Sequence, residues 1–190
     1  KKNITHYGMK IQDNIINELF EKLVRDAKYL KRKNEIKKFN IKNKIKKKGI
    51  AITPVKFGIS FTTIHLNQAG ALVHLYTDGS VYLNHGGIEM GQGTHTKIAQ
   101  VVANSLGLPY EKIKISSTNT AKVPNTSASA ASSTTDLNAA AALNATVKIT
   151  KNLETFIKEK YKIFSKEEPI YKNESIIFGN RSFEFKKIVM

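Results

Sequence analysis

The chain has 190 residues, of which 41% are hydrophobic and 24% charged, with a formal net charge of +16. That balance supports one globular domain, or one and a fraction, and argues against wholesale disorder. The absence of cysteine excludes disulfides, thiolate metal sites, cysteine nucleophiles and cysteine-held iron–sulfur clusters within these residues, and it fits a cytoplasmic protein. No run of about 18 apolar residues offers a membrane span.

The opening KKNITHYGMK lacks both a starting Met and the apolar core of a signal peptide, so the chain reads as an internal piece of a longer protein. Ile11, Ile15, Leu19, Leu23 and Ala27, with Ile16, Phe20 and Val24, repeat at helical spacing and predict one amphipathic helix over Ile11–Leu30. Its broad apolar face calls for a surface to pack on. The Lys-rich stretch that follows reads as a solvated second helix or a connector. Residues 1–50 hold 16 Lys/Arg against 5 Asp/Glu, densest in KNKIKKK at Lys42–Lys48. Phosphate backbones attract such runs. Here, though, arginine occurs only at Arg25, Arg32 and Arg181, and no aromatic side chain interleaves with the lysines. The run is read as a solvated face, and nucleic acid is not an expected partner.

From Gly49 the texture changes. Ile50–Thr53 and Ile59–Ile64 are rich in β-branched and aromatic residues. Leu72–Tyr76 and Ser80–Asn84 flank Asp78-Gly79, a hairpin signature in which both turn residues favour positive φ. The return strand delivers the chain to His85-Gly86-Gly87. Met90-Gly91-Gln92-Gly93-Thr94 then leads into a helix over Thr96–Leu106, with Ile98, Val101, Val102 and Leu106 inward, stopped by Gly107 and Pro109. Lys112–Ser116 alternates as a strand. The reading is an α+β module, a ββαβ unit with a glycine loop at one edge of its sheet. A glycine-flanked helix entrance with free N–H groups is a place for an anion, often a phosphate or an oxygen-rich cofactor.

After Thr118, NTAKVPNTSASAASSTTD is almost entirely small and polar. It fits either a linker or a loop whose backbone something large approaches. Asp136 opens an alanine-rich helix through about Tyr161, with Leu143, Val147, Thr150 and Leu153 on one face. Glu168–Met190 carries Pro169 and a Gly179-Asn180 turn, and ends in FEFKKIVM without a visible stop.

Four blocks in order carry a family resemblance: KKGIAITPVKFGISF at Lys47–Phe61, LNQAGALVHLYTDGSV at Leu66–Val81, HGGIEMGQGTHTK at His85–Lys97 and VPNTSASAASSTTD at Val123–Asp136. The chain resembles the molybdenum-binding subunit of the xanthine dehydrogenases, within the wider family of molybdenum hydroxylases. On that resemblance residues 1–48 are a helical, Lys-rich segment packing on the rest of the subunit. Residues 49–150 are the molybdopterin-binding α+β unit, and residues 151–190 a helix end and the continuation of the same domain. Met90, Gly91 and Gln92 match positions that contact molybdopterin. Ala130, Ala131, Ser132 and Thr134 match the loop beneath the metal, with Ala131 nearest molybdenum and Ser132 and Thr134 able to hydrogen-bond the pterin and its phosphate. The Gln92 amide can both donate and accept. The family commonly has Pro-Thr where Ala128-Ser129 stands here, a departure that bears on loop stiffness.

The resemblance implies hydroxylation of purines, hypoxanthine or xanthine to urate, with water as the oxygen source and a glutamate as base. Electrons then leave through 2Fe-2S centres to FAD and NAD. The EMGQG block is shared with aldehyde oxidases, so an aldehyde or another N-heterocycle is the alternative substrate. A non-catalytic remnant or basic binding module is the alternative of another class. The family's FGGKE-type block, its substrate arginine and the GEPP-type segment bearing the base glutamate are absent, so no catalytic residue is expected within the chain. The expected partners are the remaining molybdenum-domain sequence, iron–sulfur and FAD subunits or domains, a purine, and a second copy in a homo-oligomer. Glu89 sits in the pterin loop and is not assigned as the base. Ser132 lacks an accompanying base and is not assigned as a nucleophile. His6, His65, His74, His85 and His95 are scattered, without the converging spacing of a metal site, and are read as structural.

Overall fold

The computed structural model describes residues 3–55, 57–59, 61–122, 125–164 and 168–190. Lys56 and Ser60 of the first family block, and Val123-Pro124 at the head of the fourth, lie outside the described residues. The chain divides into two compact units, residues 1–57 and 58–190.

In the first unit the single helix expected over Ile11–Leu30 is two. Helix α1 spans Ile16–Asp26 and α2 spans Tyr29–Lys42, separated where Lys28 takes a left-handed φ of 48°. No glycine marks that break, which is why apolar periodicity runs across it unnoticed. Neither helix buries a residue, and Leu19 and Leu23 of α1 are exposed. Ile50–Thr53 forms no strand. Asn40 folds the Lys-rich tail back, accepting from the Lys48 N–H at 2.8 Å while its own amide donates to the Lys48 carbonyl at 2.9 Å.

The second unit carries the expected ββαβ order. Strand β1 (Ala71–Leu75) pairs antiparallel with β2 (Val81–His85), and β2 pairs in parallel with β3 (Ile113–Ile115) across helix α3 (Thr94–Leu106). The hairpin turn differs from expectation in one respect: only Gly79 has positive φ, at 83°. The Gly79 N–H donates to the Tyr76 carbonyl and the Tyr76 N–H to the Ser80 carbonyl, each at 2.9 Å. This is the three-residue hairpin built on a type I turn with a glycine bulge. The Asp78 carboxylate accepts from the Ser80 hydroxyl and N–H, and those bonds hold its pKa below the usual value.

Val81 and Leu83 of β2 face a core made with Ile98, Ala99, Val102 and Leu106 of α3. Val101, expected inward, is only half-buried. Helix α4 (Thr134–Tyr161) lies against α3 and β1. Its buried face runs through Asn138, Ala142, Thr146 and Ile157, whereas Leu143 and Val147 are exposed. The inward face is the one with small residues because these let two helix backbones approach closely; the larger apolar side chains rotate outward. A meander of β4 (Ile170–Lys172), β5 (Ser175–Phe178) and β6 (Arg181–Glu184) follows, then the short α5 (Phe185–Val189). Ile176, Phe178, Phe185 and Ile188 extend the same core. Among the described residues no helix is long and apolar enough to cross a membrane.

Candidate functional site

Two helix entrances meet at one rim of the second unit. The first follows β2, whose last residue, His85, leads into Gly86-Gly87. A Cβ on Gly86 would lie 2.1 Å from the Thr126 hydroxyl, and one on Gly87 2.9 Å from the Thr134 methyl. The paired glycines therefore let the small-residue loop and the start of α4 press against the end of the sheet. Thr118 secures this corner by donating to the Gly87 carbonyl at 2.8 Å.

Beyond the glycines the backbone wraps around a carboxylate. Glu89 Oε1 accepts from the N–H groups of Gly91 at 2.8 Å and Gly93 at 3.0 Å, while Oε2 accepts from the His95 N–H at 2.9 Å. Gly91 and Gly93 reach this arrangement at φ of 100° and 79°, left-handed values natural to glycine. The three donors, His95 first, hold the Glu89 carboxyl down at about 2. The anion expected at this helix entrance is thus the chain's own carboxylate. Gln92 completes the loop: its Oε1 accepts from the Met90 N–H at 2.6 Å and its Nε2 donates to the Ile88 carbonyl at 2.8 Å. Much of the amide expected to serve a cofactor is therefore engaged in shaping its own turn.

The second entrance is different. Ala131 and Ser132 occupy successive left-handed conformations, φ 53° and 55°, without being glycine. Such residues persist where the surroundings over-determine them, at a cost of about 1 kcal/mol or more each. The Ser133 N–H closes the turn on the Ala130 carbonyl at 3.2 Å, and α4 then begins with no side-chain cap. Among the described residues no side chain hydrogen-bonds the first N–H groups of this 28-residue helix, although Asp136 stands in its first turn and faces part of the dipole.

The two loops are stitched together. The Ile88 N–H donates to Ser129 Oγ at 2.8 Å, and the Thr94 and Thr135 hydroxyls lie 3.3 Å apart. Between them is a cleft of about 330 Å³. Met90, Gln92, Thr94 and Lys97 form one wall; Ser129, Ala130, Ala131, Ser132, Thr134 and Thr135 form the other. Six of the seven residues singled out in the sequence thus line one cleft. Gly91 belongs to the loop but not to the wall. Sequence reasoning passed over Thr94, Ser129, Thr135 and above all Lys97, whose ammonium donates to the Gln92 carbonyl at 3.1 Å. Lys97 closes the HGGIEMGQGTHTK block, so its position in that block was the available signal. An uncapped helix entrance, several hydroxyls and one ammonium make a donor set for an oxygen-rich anion.

A second cavity, of about 300 Å³, shares Ala130 with the cleft. Its lining includes Phe61, Leu66, Asn67, Gln68 and Thr126, and it is more apolar than polar. Asn67 Oδ1 and Thr126 Oγ1 are buried and find no partner among the described residues. Its rim is tied by the Ser127 N–H to the Gln68 carbonyl at 2.8 Å and by the Ser127 hydroxyl to the Leu66 carbonyl. A larger groove, about 560 Å³, lies by Leu108 and Tyr171 at the carbonyl end of α3, where the helix field disfavours an anion.

His85 and His95 pack against each other beside the glycine pair. His85 Nδ1 accepts from the Gly87 N–H at 3.1 Å, which leaves its proton on Nε2. Its ring meets that of His95 edge-on, 4.9 Å between centroids. Burial first, and then His95, push its pKa down to about 4, against an opposing pull from Glu89. Among the described residues no three His, Asp or Glu side chains gather as a metal site.

The sequence profile of the molybdopterin cofactor-binding domain matches residues 22–190. The chain belongs to that family. Xanthine dehydrogenase/oxidase of Rattus norvegicus is 50% identical over 158 residues, 83% of this chain but 12% of that protein. Xanthine dehydrogenase 1 of Arabidopsis thaliana is 47% identical over 152 residues, 80% of this chain and 11% of that protein. The molybdopterin-binding chain therefore spans about one eighth of such relatives. Quinoline 2-oxidoreductase from Pseudomonas putida 86 superposes over 98% of the chain, and 25% of its own, with a TM-score of 0.75 at 16% identity, which shows a shared fold. The hydroxyls and the ammonium that line the cleft have the chemistry to hold a phosphate-bearing cofactor such as molybdopterin.

Proposed function

We propose that this chain forms one wall of the molybdenum centre of a xanthine dehydrogenase-like hydroxylase. The observation that carries the reading is the cleft itself, where Lys97, Ser132, Thr134 and Thr135 surround the uncapped start of α4. In this reading Lys97, Ser132, Thr134 and Thr135 would hold the phosphate of molybdopterin, Met90, Gly91 and Gln92 would meet its pterin, and Ala130 and Ala131 would leave room beside the metal. When bound, molybdopterin supplies the two-electron redox chemistry by which oxygen from water enters the substrate. The chain's own part is to bind, orient and exclude water. The neighbouring cavity would receive the substrate ring, with Phe61 offering an aromatic wall. That wall favours a planar purine over an open-chain aldehyde.

The base glutamate and the substrate arginine come from other segments of the full-length protein, as do the 2Fe-2S, FAD and NAD components. Residues 1–48 pack on the remainder of the molybdenum subunit, in a cytoplasmic homo-oligomer. The test is metal analysis, pterin analysis and xanthine turnover on the purified full-length protein. Molybdenum and pterin at about one per chain, with urate formed from xanthine, are expected. Cofactor-loaded protein that oxidises aldehydes but not purines would move the substrate to the alternative, and protein without molybdenum would remove the enzyme reading.

A further inference from the structure

Glu89 has no place in the reaction described above, yet it is the most heavily hydrogen-bonded carboxylate at the site. Both its oxygens are used, and all three donors are backbone N–H groups of the stretch between Gly91 and His95. Those donors would otherwise face solvent or a ligand. A helix start with convergent N–H groups binds an anion from any source, and a carboxylate on the same chain is always at hand. Gln92, two residues after Met90, shapes the same turn through bonds to backbone and not to Glu89. The carboxylate and the amide thus act on different peptide groups and are not redundant.

We propose that Glu89 is a positioning residue. It occupies the anion site at the entrance of α3, holds Met90–Gln92 in the shape that meets the pterin, and leaves the entrance of α4 as the place where the cofactor's own anion goes. This rests on the molybdopterin reading of the cleft, and it makes a separate claim about how the loop is held before any cofactor arrives. Ligand-free and cofactor-loaded protein therefore share the Glu89 bonds. The cofactor's phosphate never displaces the carboxylate, because the two anions have different helices.

The experiment uses the full-length protein with Glu89→Gln and Glu89→Ala, read by amide hydrogen exchange over residues 88–97 and by molybdenum and pterin content. Glu89→Gln keeps the shape but turns one acceptor into a donor facing an N–H group. Loop exchange is expected to accelerate by about 10- to 100-fold in both variants, the range for losing a hydrogen bond to a charged group. Cofactor content should fall with it. Sodium formate, added at tens of millimolar (roughly the effective concentration it must replace), should slow exchange again in Glu89→Ala and not in Glu89→Gln. That rescue separates an anion site from mere loss of packing. Unchanged exchange in Glu89→Ala, or acceleration that formate leaves untouched, would overturn the proposal. Wild-type protein devoid of molybdopterin would instead defeat the reading of the cleft, while exchange and formate rescue still decide the role of Glu89.

Discussion

Helices α3 and α4 begin side by side and carry the same electrostatic demand, but they meet it in opposite ways. At α3 the chain folds its own carboxylate over the N–H groups, and the entrance presents shape. At α4 Asp136 stands in the first turn, but no side chain among the described residues hydrogen-bonds the free N–H groups, and Lys97 and a set of hydroxyls surround the entrance. A pocket for a large bifunctional ligand needs both: a rigid surface to lie against and an unsatisfied one to bind. One helix start is finished at folding, the other at loading.

Four changes would break or sharpen that contrast. The largest effect is expected from Gly86→Val, which forces side-chain atoms into the space of Thr126 and drives the entrances apart. A loss of about 3 kcal/mol in unfolding free energy is expected from overpacking of this kind, and pairing the milder Gly86→Ala with Thr126→Gly should recover most of the smaller loss seen with Gly86→Ala alone. Next, Lys97→Met should leave the melting temperature of cofactor-free protein unchanged and weaken cofactor retention by about 10- to 100-fold, the worth of a charged hydrogen bond. Molybdenum content after gel filtration measures it.

The third change is of pH. His85 is neutral in the fold, its pKa pushed from 6.5 to about 4. Its contribution to stability is therefore complete above pH 6.5. It declines as pH falls from 6.5 towards 4, because the unfolded imidazole takes up a proton that the folded one refuses. The groups facing it are His95 and Glu89. Glu89, lowered from 4.5 to about 2, contributes fully above pH 4.5 and loses its share only below that. Denaturation curves from pH 7.5 to 4.5 should show a slope that His85→Asn flattens. The smallest effect, about 0.5 kcal/mol, is expected from Ser133→Asp, which supplies α4 with a cap of its own. Cofactor-free protein should gain that stability, and molybdenum content should fall because the entrance is no longer open.

The elements that position the site were legible where local chemistry is strict. Alternation across Asp78-Gly79 and the stop at Gly107 marked the hairpin and α3 to within a residue or two. Where packing chooses between local alternatives, the sequence misled. Leu143 and Val147 are the obvious inward face of α4, but close approach to α3 selected Ala142 and Thr146 instead. Lys28 ends α1 in a left-handed conformation with nothing in its side chain to announce it. Asn173 and Glu174 form a two-residue turn at positive φ between β4 and β5 that no glycine signals; Glu174 is held there by its N–H to the Gly107 carbonyl at 2.8 Å and by Lys112 at 2.8 Å. In the site, Met90, Gln92, Ala130, Ala131, Ser132 and Thr134 stood out through the family blocks, whereas Lys97, the last residue of one block, gains its meaning from the helix turn that sets it over the cleft. Glu89 illustrates the deeper limit. Its partners are backbone groups, and backbone groups have no letter in a sequence.

The parallel pairing of β2 with β3 has a consequence for the order of events during synthesis. A parallel neighbour needs a crossover, and here the crossover is α3, so β3 completes the sheet only once α3 is in place. The ribosome delivers Glu89, α3 and β3 before the first residue of α4, at about 5–20 residues per second. The half of the pocket that carries its own anion is thus synthesised before the start of α4. The half that offers free N–H groups follows it, and α4, β5 and α5 have still to add Ala142, Ile157, Ile176, Phe178, Phe185 and Ile188 to the core that holds both halves.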